Sequence, residues 1–554
     1  RVSLYDTSVI RNDGKPLSLI TSRKMGGGYR SARMIGNTAH IVVQSGVEWH
    51  RHITRYLDRW QVVYDGLNKT EYLEVAAEQA KLAADKFATR LIKELKLLAD
   101  NDDGMTDDCS GVTKIALFAS LNDNAEGGND ALPDTLSSGG ALNSYLQVSS
   151  FDMNMYPQWN AADAEKSAAP VMAMKTAGSF FPTSHSDIYA SKDFIVASGR
   201  GYARRDSRSW EDNTYLLTFG LSSDGSAPSG RAIGRVPGYL LNQFSVDEFD
   251  GYLRVATTSQ AQWGCIDQPM IEPTDDVDVL IERPCKWGQL KESTSQVTVL
   301  KIPEEGEMSR ELKTVGVADG LGETEVIFSC RFFNDKAYVV TFRRTDPLYA
   351  LDLSDPENPR VTDELKISGF SSYLHPVLGG DRLLAIGREA NEETGRVTGF
   401  QITLFDVSDL NNTSVLQRYT LEDQWSSSSA ENNHLAFHYL HQSNLLLIPM
   451  SIRGTYDKRE PFDGFTVYHV NPSGKEKIEP RFSVSMVEDP SFIRYGCWHD
   501  AYMPARTLVF RGNATFVKGH SSVSYTLGDT QTQRWYHNFD DGRDKTIGCF
   551  SYWR

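Results

Sequence analysis

Apolar and polar residues follow one another in short alternating runs through most of the chain. The runs are bounded by Gly, Pro, Asn and Asp, which is the punctuation of strands rather than helices. The stretch "VPGYLLNQFSVDEFDGYLRVATT" (236–258) shows the unit. A short strand ends in the acidic group Asp247, Glu248 and Asp250, the dipeptide Asp250-Gly251 turns the chain, and "YLRVATT" returns as a second strand. Similar paired strands begin at Tyr29, Ser186, Phe328, Ser371, Glu431 and Cys497. Second halves are clearest in "PLYALDLSDPENPRVTDELKISG" (347–369), "QITLFDVSDLNNTSVLQRYTL" (401–421) and "GFTVYHVNPSGKEKIEPRFSV" (464–484). In the first two, a strand ends in Asp-x-Ser-Asp, and the Pro- or Asn-rich turn that follows cannot continue it. Four antiparallel strands per unit, repeated about seven times, predict an all-β fold, the β-propeller.

Two segments break the strand pattern. Within residues 47–143, Leu73, Ala77, Ala80, Ala84, Phe87, Leu91, Leu95 and Leu98 recur at helical spacing, with Asn68 or Thr70 placed to cap the start. That face is expected to be buried. A Gly-, Ser- and Asn-rich stretch follows it. The second insertion is the acidic loop 260–290, bracketed by Cys265 and Cys285, the favoured disulfide pair. Cys497 and Cys549 form a weaker pair, and six cysteines leave other pairings open. The division expected is therefore propeller start (1–46), helical and low-complexity insertion (47–143), propeller remainder (144–528) and a C-terminal tail packed on it (529–554). The opening strands "RVSLYDTS" and "LSLITSRKM" read as a second half, and "RTLVFRGNATFVKG" reads as a first half. Joined, they would close a ring of seven blades; eight blades remain open if strands precede the first residue.

Charge narrows the function classes. The chain has 554 residues and a formal charge of −16, which disfavours nucleic acid, since that partner needs a basic footprint. No stretch reaches the roughly 20 apolar residues of a membrane span. The first residues are not a signal peptide and read as the middle of a strand pair. Sequons at Asn68, Asn411, Asn412 and Asn513 fit an exported, glycosylated chain.

Candidate chemistry is sparse. Asp247, Glu248 and Asp250 offer oxygens to calcium, but the turn reading is favoured, because no known calcium-loop spacing is present. "DNDDGMTDD" (100–108) and "DDGRD" (540–544) read the same way. His434, His438 and His441 have metal-like spacing, yet offsets of four and three cannot all face one way along a strand. No P-loop and no Gly-x-Ser-x-Gly elbow occurs, so no catalytic residue is assigned. Aligning the repeats gives one column of polar or aromatic residues early in each first strand: Arg33, Tyr189, Asp247, Arg331, His375 and His434, then His499 or Asp500. First strands line a propeller's channel. The column therefore predicts either a ligand site for an ion or small anion, or a hydrogen-bond network locking the blades together, with the network favoured.

The segments "YRSARMIG", "VPGYLLNQFSVDEFDGYLRVATT", "AYVVTFRRTDPLYALDLSDPENP", "GFSSYLHP" and "LFDVSD" resemble the secreted C-terminal β-propeller family of bacteria and archaea, distantly related to WD repeats. The resemblance runs in order across nearly the whole chain and implies a propeller and export. It brings no catalytic residue and no ligand. The expectation is a secreted, non-enzymatic protein that binds or assembles, with another protein, its own copies or an extracellular glycan as partner. The alternative is an extracellular hydrolase or lyase working on polymers at the channel mouth.

Overall fold

The computed structural model describes residues 2–6, 18–23, 25–46, 81, 85, 144–155, 174–183, 185–204, 210–221, 228–266, 286–307, 310–342, 346–391, 394–452, 462–486, 504–519, 521–528 and 532–538. Seven four-stranded antiparallel sheets follow one another along these residues. Their first strands are Gly28–Ile35 (sheet 1), Asp187–Ala190 (sheet 2), Val246–Phe249 (sheet 3), Val326–Phe333 (sheet 4), Phe370–Val377 (sheet 5), His438–Leu440 (sheet 6) and Ala505–Phe510 (sheet 7). In every sheet the strands lie side by side in chain order. No helix among the described residues is long and apolar enough to cross a membrane.

Tight turns set the register as the sequence expects. Phe249 pairs with Tyr252, so Asp250 and Gly251 alone make the turn, with φ of 53° and 79°. Two successive positive φ values are the conformation that Asp-Gly turns supply at least steric cost. The Asp-x-Ser-Asp motifs close later turns. Asp352 Oδ1 accepts from the Ser354 amide and hydroxyl at 3.0 and 2.6 Å, and Asp406 Oδ1 accepts from Ser408 at 3.1 and 2.6 Å.

The chain divides into two units, 1–255 with 300–315, and 256–299 with 316–554, and the division runs through sheet 3. In the first unit, Leu146, Phe181, Ile195, Tyr215 and Phe219 form one core, and Val196, Leu216, Val255, Leu300 and Leu312 form another. In the second, Ala256 and Val297 pack with Val339 and Leu351, and Val340 and Leu348 pack with Leu383 and Phe405. The strands bury residues from both faces, as stacked sheets require. Each fully buried Leu, Val or Phe contributes roughly 1.5–3 kcal/mol.

Two pairs of strands stand apart. The opening pair, Val2–Asp6 with Ser18–Arg23, is a sheet of its own. The other, Gln262–Cys265 with Trp287–Lys291, is an arm extending the second and third strands of sheet 3. Sheet 7 draws all four strands from 505–538, so "RTLVF" and "NATFVK" are its first two strands and 533–538 its fourth. Among the described residues, the opening pair and sheet 7 are therefore separate sheets rather than halves of one blade. Of the expected helix only Lys81 and Asp85 are described, both helical and exposed; its apolar face lies outside the described residues. So do Asn68, Cys109, Cys285, Cys497 and Cys549, and with them both expected disulfides.

Candidate functional site

Strand register locates the polar column residue by residue. In each sheet the predicted position lies opposite the third residue of the second strand: Arg33 opposite His40, Tyr189 opposite Val196, Asp247 opposite Arg254, Arg331 opposite Tyr338 and His375 opposite Leu384. In sheet 6 the residue in register is His438, opposite Leu447. His434 instead opens a 3-10 turn and does not belong to the column. Two capped turns cause the offset. Ser428 and Glu431 form a reciprocal capping box, the Asn433 side chain caps the next turn, and the strand then begins at His438. In sheet 7 the register position is Leu508, opposite Thr515, while His499 and Asp500 lie outside the described residues.

In the first unit the column is a tyrosine–carboxylate–guanidinium cluster. Tyr189 donates its hydroxyl to Asp247 Oδ1 at 3.3 Å and accepts the Glu248 amide at 3.0 Å. Arg254, only 3% exposed, pairs with the other Asp247 oxygen and covers the Phe249 ring at 5.1 Å. Burial, reinforced by the Asp247 charge, pushes the Tyr189 phenol well above its ordinary value, so it remains a donor at neutral pH. Arg33 donates to Gln243 Oε1 at 3.5 Å. The three acids offered above to calcium do not converge. Asp247 faces Arg254, Glu248 accepts the Gly251 amide at 3.4 Å, and Asp250 sits exposed in the turn. Burial raises the Glu248 carboxyl. Among the described residues, no group of three or more His, Cys, Asp or Glu is placed to hold a metal.

In the second unit the column is cationic and aromatic. Arg331 donates Nε–H to the Leu374 carbonyl at 2.9 Å and lies over the Tyr373 ring at 5.2 Å. His375 packs on Phe437 at 4.9 Å between ring centres, with His441 at 6.2 Å and Tyr439 at 6.3 Å. His438 donates Nδ1–H to the Thr507 carbonyl at 3.2 Å. Burial holds the His375 imidazole down to about 4, with smaller contributions from the Arg331 and His441 charges. It is neutral at pH 7.

A rule emerges from these contacts. Arg331 of sheet 4 reaches Leu374, the residue before the column position of sheet 5. His375 reaches Phe437, the residue before that of sheet 6, and His438 reaches Thr507, the residue before that of sheet 7. Tyr189 reaches Asp247, the column position itself. Tyr189, Arg331, His375 and His438 thus each contact the start of the next sheet, at or just before its column position, whereas Arg33 reaches Gln243 and Asp247 pairs within its own sheet. Sequence reading met His438 and His441 only as a metal-like histidine run, not as part of the column and its surroundings, and it missed Tyr373. Counting three residues into each second strand would have found His438, whereas the aromatic neighbours carry no repeat signal.

Elsewhere in the first unit, a cavity of about 150 Å³ is lined by Arg231, Arg310 and Glu304, Glu305 and Glu307. Arg310 donates to the Gly230 carbonyl at 2.7 Å and Arg231 pairs with Glu305 at 3.7 Å. The volume is below the roughly 300–1,000 Å³ of small-molecule pockets.

A family model described as a beta propeller domain matches residues 1–530. An uncharacterized protein of Archaeoglobus fulgidus is 35% identical over 243 residues, 44% of this chain and 30% of that protein. An uncharacterized protein of Methanocaldococcus jannaschii is 37% identical over 193 residues, 35% of this chain and 25% of that protein. The chain thus spans less than a third of the length of either relative. Among solved structures, the β-propeller domain of the Trilobed protease from Pyrococcus furiosus aligns at 10% identity and a TM-score of 0.28, covering 63% of this chain and 83% of that one.

Proposed function

Because the chain belongs to the beta propeller domain family, we propose that it is a non-enzymatic propeller module of an exported protein, acting by binding or assembly. The observation that carries this reading is the use made of the column. Its guanidinium, imidazole and phenol groups are taken up by neighbouring strands at Leu374, Thr507 and Asp247. Groups so engaged brace a scaffold and are not poised for acid–base work on a substrate.

What the scaffold presents to water is apolar in places. Trp263, Trp287, Leu508, Phe510 and Trp535 are all exposed. Large exposed apolar side chains in proximity mark contact surfaces. The exposed Asn411 and Asn412, which follow Asp409 in a turn, are accessible for glycosylation if the protein is exported.

Sedimentation and electron microscopy of the purified chain test the proposal, together with mass measurement of glycopeptides from native material. Concentration-dependent assembly, or a stoichiometric complex with a protein or glycan, is expected. Turnover of an extracellular polymer by the purified monomer, abolished by one column substitution, would replace the binding reading with a hydrolase or lyase.

A further inference from the structure

Sheet 1 breaks a packing rule that sheet 4 keeps. In both, the first strand carries one extra residue shortly before its column position: Arg30 between Tyr29 and Ser31, and Phe328 between Ile327 and Ser329. Bulges of this kind re-aim a side chain. Phe328 packs on Phe342 of its own sheet at 5.2 Å between ring centres, and on Phe370, at the start of sheet 5, at 4.9 Å. The junction there is apolar. Arg30 instead donates from Nη1 to His185 Nδ1 at 2.9 Å. His185 precedes Tyr189 by four residues and Phe370 precedes His375 by five, with Ser372 as the extra, bulged residue of sheet 5. His185 therefore stands where Phe370 stands, and a guanidinium with an imidazole replaces two rings. Departures from a fold's own pattern concentrate at functional sites.

Asp187 completes the group. It is exposed, and among the described residues its carboxyl enters no hydrogen bond or ion pair. Burial nonetheless raises that carboxyl, against the pull of nearby His185 and Arg30. A carboxyl open to water on one side and crowded on the others lies in a recess. The backbone around it is anchored. The Thr183 carbonyl accepts Gln44 Nε2 at 2.9 Å and Ser144 Oγ at 2.6 Å, and Thr183 Oγ1 donates to the His185 carbonyl at 2.8 Å. Gly199 lets this segment lie close, since a Cβ there would meet Thr183 Oγ1 at 2.0 Å and the His185 carbonyl at 3.0 Å. Side chains held on so fixed a frame are placed before any ligand arrives.

We propose that Arg30, His185 and Asp187 form a binding site for a uronic-acid unit of an extracellular acidic glycan. Because Nδ1 of His185 accepts from Arg30, the ring carries its proton on Nε2 and presents a donor there. That donor and the Arg30 guanidinium would hold the sugar carboxylate, as charge-assisted pairs do. Asp187 would accept from the ring hydroxyls beside it. Donors and an acceptor side by side match a ligand that carries both kinds of group, whereas a bare oxyanion would meet Asp187 as a like charge. The site names a ligand class for the binding reading above and rests on that reading.

The experiment titrates the full chain with an oligogalacturonate, with its neutral methyl ester and with inorganic sulfate, by calorimetry. The oligogalacturonate should bind, and both other probes should bind at least about tenfold more weakly, the loss expected when a charge-assisted hydrogen bond is removed. Arg30→Phe with His185→Phe rebuilds the junction in the image of sheet 4, so it should melt at or above the wild-type temperature and lose the uronate. Asp187→Asn, at an exposed position without a direct partner, should melt as the wild type does and bind at least about tenfold more weakly, which keeps the test intact if the double variant fails to fold. A wild type that binds no oligogalacturonate overturns the site, as does an unchanged affinity in Asp187→Asn. Sulfate or the methyl ester binding as tightly as the uronate overturns the ligand assignment. Assembly, or capture of a protein, by a chain that ignores the uronate would sink this site and leave the broader binding reading standing.

Discussion

The Nε–H of Arg331 meets the Leu374 carbonyl at 2.9 Å, one residue before His375. A side chain of one sheet thereby holds the backbone of the next, at the point where the next tie begins.

Arg331→Ala should lower stability by about 1–3 kcal/mol, the usual cost of leaving a largely buried acceptor unmet. Arg331→Lys should recover only part of it, since Lys lacks the planar fork and its stacking on Tyr373. Urea denaturation reads both. An unchanged midpoint in the alanine variant would show that the tie carries no energy.

His375 makes stability depend on pH. Its folded value of about 4 lies below the ordinary 6.5, so below pH 6.5 the unfolded chain binds the proton first. Its contribution is complete above pH 6.5 and is lost as pH falls toward 4, an effect of about 3 kcal/mol. His375→Gln should flatten that part of the stability profile, and Arg331→Ala should raise the His375 value in an NMR titration. A profile equally steep in the His375→Gln variant would assign the effect to another group.

Asp247→Ala removes the carboxylate from Arg254, which is 3% exposed. Removing the carboxylate beside a buried guanidinium costs about 3 kcal/mol, and Tyr189 loses this acceptor too. The double variant Asp247→Ala with Arg254→Met should recover much of the loss. Strictly additive losses in that double-mutant cycle would mean the two residues do not act together.

Asp352 works in the opposite range. The Ser354 hydroxyl, Arg360 and the Ser354 amide hold its carboxyl down to about 2. Its contribution is present above the ordinary 3.8 and disappears as pH falls toward 2. Solvent screening of this half-open turn limits it to about 1 kcal/mol. Asp352→Asn should therefore be less stable than the wild type at pH 6 and equal to it near pH 2, as thermal melts would show.

The strand pairs and their tight turns were legible because each carries a local chemical necessity. Asp250-Gly251 must take positive φ, and Asp352 and Asp406 must fold back on the serines two residues on. The column was legible as a repeat, and five of its positions fall in register. His434 was misassigned because the pattern cannot count the residues absorbed by the turns capped at Ser428 and Asn433. The ties themselves were not legible. The acceptors at Leu374 and Thr507 are main-chain carbonyls, which every residue possesses and no sequence marks. Whether the opening pair joins the last unit or stands apart was left open by the sequence, since pairing between distant strands depends on which edges meet in space.

The ties at Arg331, His375 and His438 point the same way along the chain, each fastening one sheet to its successor. Tension applied to the chain would therefore meet a zip fastener rather than a single clasp. Drawn from the C-terminal side, the second unit would yield in discrete steps: sheet 7 would part from His438, then sheet 6 from His375, then sheet 5 from Arg331. A pull on an optical trap would record a ladder of small rips spaced by single-sheet contour lengths, and removing one tie would merge two adjacent rungs.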